Sequence, residues 1–359
     1  MSQLGHRLAD SADPLSQAHD AALLDLDGVV YLGTDPVAHA AQALVAAQAA
    51  GMRLTFVTNN ASRSPEEVTA ALRAVGVEAT PAQVATSAQA AAQLLAERLA
   101  SGARVLVVGA GGLRRAVADR GFAVVDSAAA DPAAVVQGFS DATTYAMLAE
   151  AALAIRAGAL WVATNLDSTI PSRRGLLPGN GALVAALACA TGVRPLAAGK
   201  PERALHDEAV RRTGALRPLV IGDRLDTDIA GAIAVGAQSL LVLTGVTSLL
   251  ELLQAPAGRR PAYVGADLRV LGEAQLPVEL DAAIARCGPA TAVIDNGKVI
   301  VEAADCGTCA IRAACALCWR AGDADVAVTS VGGSLADAVS TIGTPDRRGV
   351  QQQRTDRNG

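Results

Sequence analysis

Aromatic side chains are almost missing: Phe, Trp and Tyr together make up 2% of the 359 residues. A core of stacked rings is therefore excluded, and the 51% hydrophobic content must come mainly from Ala, Val and Leu. Small and branched side chains of that kind suit buried strands covered by Ala-rich helices, the make-up of α/β folds. Histidine is scarce as well. His6, His19, His39 and His206 show no metal-ligand spacing, so a His-based nucleophile triad has no support. Basic clusters are lacking too: the formal charge is −5, and no stretch gathers Lys and Arg into the patch that a nucleic-acid partner requires. The first twenty residues, MSQLGHRLADSADPLSQAHD, hold no apolar run of the secretory-signal type. Two uncharged runs, residues 229–250 and 175–193, are broken by Gly231, Gly236, Gln238 and Gly245 and by Pro178, Gly179, Asn180 and Gly181. A membrane span needs about 20 predominantly apolar helical residues, so no membrane partner is expected. The chain reads as soluble and cytoplasmic. At roughly 150 residues per domain its length suggests two or three domains.

From residue 20 onward short apolar runs alternate with Ala-rich stretches, the pattern of βαβ units and a parallel sheet. Strands are expected at 21–24, 54–57, 105–108, 123–125, 160–163, 219–221 and 239–243, with helices at 37–50 and from about 203 to 212. Ser64-Pro65-Glu66-Glu67 is a helix start, with Ser as N-cap, Pro in the first turn and Glu67 completing a capping box. Beyond about 280 the texture changes, with a hairpin 292–294/299–301 expected to turn at Asn296-Gly297.

Four segments carry residue types suited to phosphate chemistry. Asp25-Leu26-Asp27-Gly28 directly follows an apolar strand, and residues two apart on an extended chain share a face. Both carboxylates then point one way from the strand end where open α/β sheets bind ligands. Charges that close repel unless a cation lies between them or one stays protonated. Thr58-Asn59-Asn60 follows a second buried strand, where a hydroxyl and backbone N–H groups make a generic anion cradle. Lys200 precedes a helix and could neutralise phosphate charge. Gly222-Asp223-Arg224-Leu225-Asp226-Thr227-Asp228 puts three acids after a third strand, more than one helix cap can use. They suit Mg²⁺, which takes one or two carboxylates along with water and phosphate oxygens. Each segment alone has a bland reading as a turn, a cap or a solvated charge.

Taken in this order, the four resemble the haloacid dehalogenase-like (HAD) phosphohydrolases. The wording DLDGVVYLG, VTNNAS, GKPE and GDRLDTDIAGA is similar to the NagD and p-nitrophenylphosphatase branch, over about residues 20–275. Within it the likeness is greatest to actinobacterial glycerol-3-phosphate phosphatases, which also carry an extra C-terminal region. The resemblance implies that Asp25 is the nucleophile and that Asp27 protonates the leaving group and then activates water. It implies that Mg²⁺ is held by the Asp25 carboxylate, the Asp27 carbonyl and Asp223, with Asp228 behind them, and that Thr58, Asn59, Asn60 and Lys200 hold the phosphoryl oxygens. Asp226 receives no role. The implied substrate is a small phosphomonoester, glycerol 3-phosphate first. Pyridoxal phosphate, nucleoside monophosphates and other sugar phosphates are the runners-up. A regulatory or binding protein acting through the C-terminal region is the alternative of another class.

Spacing speaks to architecture. The 30 residues between Asp27 and Thr58 are used by one helix and one strand, whereas the 139 between Asn60 and Lys200 leave roughly 100 for an inserted domain. The expected fold is a Rossmann-like parallel core at 20–80 and 195–278, and an inserted α/β cap at 81–194. A small α+β appendage follows at 279–343, and residues 1–19 and 344–359 are expected to be disordered. By resemblance the insert is a C2-type cap, a kind that often mediates homodimers, and Asn165 and Asp167 approach the site from it.

Two signals stay apart from that reading. The turn Gly109-Ala110-Gly111-Gly112 after a strand looks like a dinucleotide fingerprint but lacks its third glycine. Cys306, Cys309, Cys315 and Cys318 form two CxxC pairs, a zinc-like arrangement with a short spacer. On one helix at about 100° per residue the two pairs face apart and cannot share a metal. Either a turn breaks this segment or these are buried small hydrophobes. Zinc or redox use remains open.

Overall fold

The computed structural model describes residues 8–323, apart from 173, 282, 296–297 and 303–305, together with 330–333. The chain divides into two compact units, Met1–Leu54 with Ala215–Gly359, and Thr55–Gly214. The second unit is wider than the insert expected at 81–194.

In the first unit the strands Ala21–Leu24, Pro218–Gly222, Gln238–Val242 and Tyr263–Gly265 lie side by side, all parallel. Ala21, Ala22, Leu23 and Leu24 are buried on both faces, which is why the run is apolar without alternation. Parallel pairing puts the C-terminal ends of Ala21–Leu24 and Pro218–Gly222 together, with Leu24 opposite Ile221. The acids that follow each strand therefore leave the same sheet edge. A second sheet runs antiparallel through Glu279–Asp281, Ile284–Cys287, Ala290–Asp295 and Lys298–Glu302, and Ser330–Gly333 joins it in parallel. The hairpin strands stand as expected, with Ala292 opposite Val301; their turn at Asn296-Gly297 lies outside the described residues. Helix Gly307–Asp323 covers this sheet and shares one apolar cluster with Leu241, Leu252, Leu253 and Val264. The C-terminal region is thus part of this unit's core.

The second unit has its own five-stranded parallel sheet, ordered Leu196–Ala197, Leu160–Ala163, Ala134–Gln137, Arg104–Val108, Ala123–Val125. Strand Arg53–Thr58, which enters this unit at Thr55, pairs in parallel with Val84–Thr86. Ser64 and Glu67 close the expected capping box: the Glu67 N–H donates to Ser64 Oγ at 3.3 Å, and the Ser64 N–H donates to Glu67 Oε2 at 2.6 Å. The glycine-rich turn serves packing: a Cβ at Gly112 would meet the Arg63 carbonyl carbon at 2.7 Å, and its N–H donates to Ser62 O.

One expectation needs correction. Residues 8–19 are ordered, not free. Leu15 is fully buried on the short helix Leu15–Ala18, Ala9 donates to Ala262 O, and Ser11 pairs with Gln275. Leu15, Leu8 packed against the C-terminal cluster, and backbone pairing hold a stretch whose composition alone reads as polar. The tail from 344 lies outside the described residues. Among those described, no helix is long and apolar enough to cross a membrane.

Trp319 anchors the C-terminal helix. It is 2% exposed, its indole N–H donates to Leu252 O at 2.9 Å, and the Arg260 guanidinium lies 5.5 Å from the ring centroid. Trp319→Ala should lower stability by about 3–5 kcal/mol, read from the urea midpoint of unfolding.

Candidate active site

In the first unit the loop after Ala21–Leu24 is held at its start by the Asp25 N–H, which donates to Ile221 O at 2.8 Å. Leu26 points into the core, leaving Asp25 half-buried and Asp27 exposed. Gly28 sits at φ 85°, accessible to glycine without strain, and a Cβ there would lie 2.5 Å from Asp223 Oδ2. Asp223 directly follows strand Pro218–Gly222 and is 1% exposed. Its Oδ2 accepts from the Val246 N–H at 2.6 Å, and its carbonyl accepts from Thr247 at 3.1 Å. Gly245 must be glycine because a Cβ would overlap the Asp223 carboxylate. Asp228 is fully buried and its Oδ2 accepts from the Arg224 N–H at 3.1 Å. A single π-turn, Leu225–Ile229, carries it back toward the strand end before helix Ala230–Val235 begins.

The outcome is one cluster: ligand oxygens of Asp25, Asp223 and Asp228 lie within 4.8 Å of one another. Hard carboxylate donors alone, with no sulfur or imidazole, suit a divalent cation such as Mg²⁺ rather than a softer metal. Asp226 is exposed and bound by Arg224 at 3.1 and 2.9 Å. Burial pushes its carboxyl up, but the Arg224 hydrogen bond and charge outweigh this and hold it below the usual range.

The second unit gathers the other expected residues. Thr58 is buried at the end of its strand, and its Oγ1 accepts from the Asn60 N–H at 3.1 Å. Asn59 grips Lys200 at two points: its Oδ1 accepts the Lys200 N–H at 2.8 Å, and its Nδ2 donates to Lys200 O at 3.2 Å. That approach needs Gly199, where a Cβ would lie 2.6 Å from Asn59 Oδ1 and from Thr164 O. Lys200 is 5% exposed, and its Nζ donates to Val57 O at 3.4 Å. Asn165 and Asp167 join the same group. Asn165 Nδ2 donates to Asn59 O at 2.8 Å, and Asn59 Nδ2 donates to the Asp167 carboxylate at 3.2 Å. Asn60 differs from its neighbours: its Oδ1 accepts from Ser62 N, Ser62 Oγ and Arg63 N, so its side chain closes a turn. Gly245, Val246 and Asn180, whose Nδ2 donates to Asn165 O at 2.7 Å, received no role from the sequence, and Gly28 was named only as the end of its Asp-x-Asp segment. A glycine just beyond a buried strand was the one available signal, at Gly245.

The sequence profile of haloacid dehalogenase-like hydrolases matches residues 22–123, and a second HAD-like hydrolase profile matches 197–271. The D-glycerol 3-phosphate phosphatase of Mycobacterium tuberculosis is 49% identical over 321 residues, which cover 87% of this chain and 89% of that one. The chain belongs to the haloacid dehalogenase-like hydrolases. Among solved structures, glycerol phosphate phosphatase from Mycobacterium tuberculosis in complex with magnesium matches with a TM-score of 0.81. It is 46% identical, over 92% of this chain and 99% of that one. A p-nitrophenyl phosphatase from Archaeoglobus fulgidus matches with a TM-score of 0.66 at 28% identity, over 71% of this chain and 98% of that one.

Two measurements check this HAD-like site. Gly245→Ala should displace the Asp223 carboxylate and weaken Mg²⁺ binding by about tenfold or more in a calorimetric titration. His206 is 1% exposed, and burial, reinforced by the Lys200 charge, pushes its imidazole down to about 3. The unfolded chain takes up that proton below its ordinary value of 6.5, so the contribution is complete above pH 6.5 and shrinks as pH falls toward 3. Between pH 6.5 and 5 the loss should be about 2 kcal/mol, and His206→Leu should remove that part of the slope in urea unfolding.

Proposed function

We propose that this protein is a Mg²⁺-dependent phosphatase of small phosphomonoesters and that its substrate is glycerol 3-phosphate, released as glycerol and phosphate. The carboxylate cluster of Asp25, Asp223 and Asp228 carries the reading, and the likeness to the mycobacterial enzymes supports both metal and substrate. Asp25, Asp223, Asp228 and the Asp27 backbone carbonyl would hold the cation, which neutralises phosphate charge and orients the phosphoryl group when bound.

The Asp25 carboxylate attacks phosphorus to give an aspartyl-phosphate, and the ester oxygen departs with a proton from Asp27. Asp27 then removes a proton from water, which attacks the same phosphorus and frees Asp25. Exposure of Asp27 beside the half-buried Asp25 suits a group that trades protons with an alcohol and with water. Thr58 and Lys200 are assigned to the transferring phosphoryl oxygens, with Asn59 as the residue that fixes Lys200. Phosphoryl transfer rewards this kind of positioning and charge neutralisation. Asn60 is assigned to the same phosphoryl group, and Asn165 and Asp167, which join Asn59 and Lys200, are assigned to the alcohol.

The core and cap boundaries belong to the same reading, as do a cytoplasmic setting and pairing of two copies through the inserted unit. Pairing draws support from the exposed Tyr145, Leu153, Leu166 and Leu176 of that unit. The competing reading, a binding protein acting through its Cys-rich end, is not favoured, because helix Gly307–Asp323 is packed into the core.

Asp25→Asn should abolish phosphoenzyme trapping and lower kcat for glycerol 3-phosphate by on the order of 10³-fold or more, with the circular-dichroism spectrum unchanged. EDTA should remove turnover and Mg²⁺ restore it. Retained turnover in Asp25→Asn would defeat the nucleophile assignment, and a higher kcat/KM for pyridoxal phosphate or a nucleoside monophosphate would replace the substrate.

A further inference from the structure

Cys306-Gly307-Thr308-Cys309 lies outside the machinery just described, and Cys306 and Cys309 are joined as a disulfide. We propose that this pair is a thiol–disulfide exchange site for a low-molecular-weight thiol, with Cys306 the sulfur that carries the mixed disulfide. Four observations meet here. Cys306 is half-buried and Cys309 is 5% exposed, so an incoming sulfur reaches Cys306 first. Cys306 stands just before the first residue of the 17-residue helix Gly307–Asp323, and the Cys309 N–H donates to its Sγ at 3.3 Å. A sulfur at the positive end of a long helix, with an N–H aimed at it, is stabilised as thiolate.

Beside the pair is a cavity of about 440 Å³, lined by Glu273, Leu276, Cys306, Thr308, Cys309 and Arg312 among others. Arg312 is 1% exposed; it donates to Ala9 O at 2.7 Å, Leu276 O at 2.9 Å and Gln275 Oε1 at 3.2 Å and also bonds the Cys287 thiol, all neutral partners among the described residues. A buried guanidinium without a carboxylate partner gains from an anion nearby, and reduction of the pair supplies one. Glu273, the carboxylate on the same cavity, is exposed and accepts from Thr308 Oγ1 at 2.9 Å, so water screens its charge. The remaining thiols of this unit are unsuited to exchange. Burial pushes Cys318 up to about 12, Cys315 well above the usual thiol range, and Cys287 upward.

The exchange balances without any further reagent. A small thiolate attacks Cys306 Sγ, the bond to Cys309 breaks, and Cys309 leaves as a thiolate that takes up a proton. A second small thiolate attacks the outer sulfur of the mixed disulfide. One small disulfide departs and Cys306 remains as thiolate or thiol. Two small thiols are oxidised, and the protein pair gains two electrons and two protons.

The test uses the full chain carrying Cys189→Ser, which removes the exposed thiol of the other unit. The protein is equilibrated in mixtures of reduced and oxidised glutathione, quenched in acid, alkylated, and mapped by peptide mass. Cys306 and Cys309 should open and close together and reversibly, with Cys315 and Cys318 unlabelled until the chain is unfolded. With Cys309→Ser, oxidised glutathione should leave one adduct on Cys306. With Cys306→Ser, an adduct on Cys309 should form at least tenfold more slowly. The proposal is overturned if the pair does not change state anywhere across the mixtures, or if the two single variants form adducts at equal rates. The titration of the unsubstituted pair decides even if a variant fails to fold, and none of these readouts depends on the phosphatase reading.

Discussion

Three carboxylates with oxygens within 4.8 Å set the terms for everything around them. At that separation each ionised pair repels by roughly 3 kcal/mol at an effective dielectric of about 20. Summed over three pairs, the repulsion rivals the about 5–15 kcal/mol that holds a typical domain folded. Positive charge or a retained proton must offset it. The protein supplies part through oriented dipoles, the Val246 N–H on Asp223 and the Arg224 N–H on Asp228, and a divalent cation supplies far more than any N–H can. The same demand explains the glycines. Gly28, Gly222 and Gly245 all lie where a Cβ would collide with Asp223 or Asp228, so backbone is brought against the acids where a side chain would have kept it away.

Much of this was legible because the signals were local. An apolar run of four ending in Asp-x-Asp identifies both a buried parallel strand and the end at which its acids emerge, and Leu26 between them is buried while Asp27 is exposed. The Ser64–Glu67 box was legible for the same reason: donor and acceptor are three residues apart. Contacts made at long range were not. Val246 is 23 residues from Asp223, and Asn59 is 141 from Lys200, and no spacing rule joins such partners. The order of residues 8–19 depends on Ala262 and Gln275, more than 250 positions away, which composition cannot reveal. Asn60 shows a second use of an amide at such a turn: its Oδ1 accepts from Ser62 and Arg63 and closes the turn, a local role that composition does not separate from ligand binding.

Scarcity of aromatics shapes the packing of the C-terminal layer. Ala310, Ala313 and Ala314 on the helix face Ala285, Ala290 and Ala292 on the sheet, all within 1% of full burial. Small side chains on both surfaces allow close approach, and density then stands in for the large apolar area of ring systems. Trp319 is the exception. It sits at one end of that helix, where its indole N–H needs a partner and finds the carbonyl of Leu252. Cys315 and Cys318 belong to this apolar surface as small hydrophobes, and the helix runs unbroken through them. The wheel argument therefore applies to Cys309, Cys315 and Cys318, while Cys306 stands just ahead of the helix.

That carbonyl links the C-terminal layer to the acids. Leu252 lies in the short helix Leu249–Leu253, which Ser248 opens with a capping box to Glu251. Immediately before it, Thr247 donates to the Asp223 carbonyl and Val246 to the Asp223 carboxylate. The loop that grips Asp223 is thus held from behind by a helix whose far end is fastened to Trp319. A five-residue helix cannot hold itself in water, where isolated helices need about 12–15 residues to be marginal, so tertiary contacts must fix it. The C-terminal layer supplies those contacts. It is therefore better understood as the buttress of one metal-binding loop than as an independent appendage.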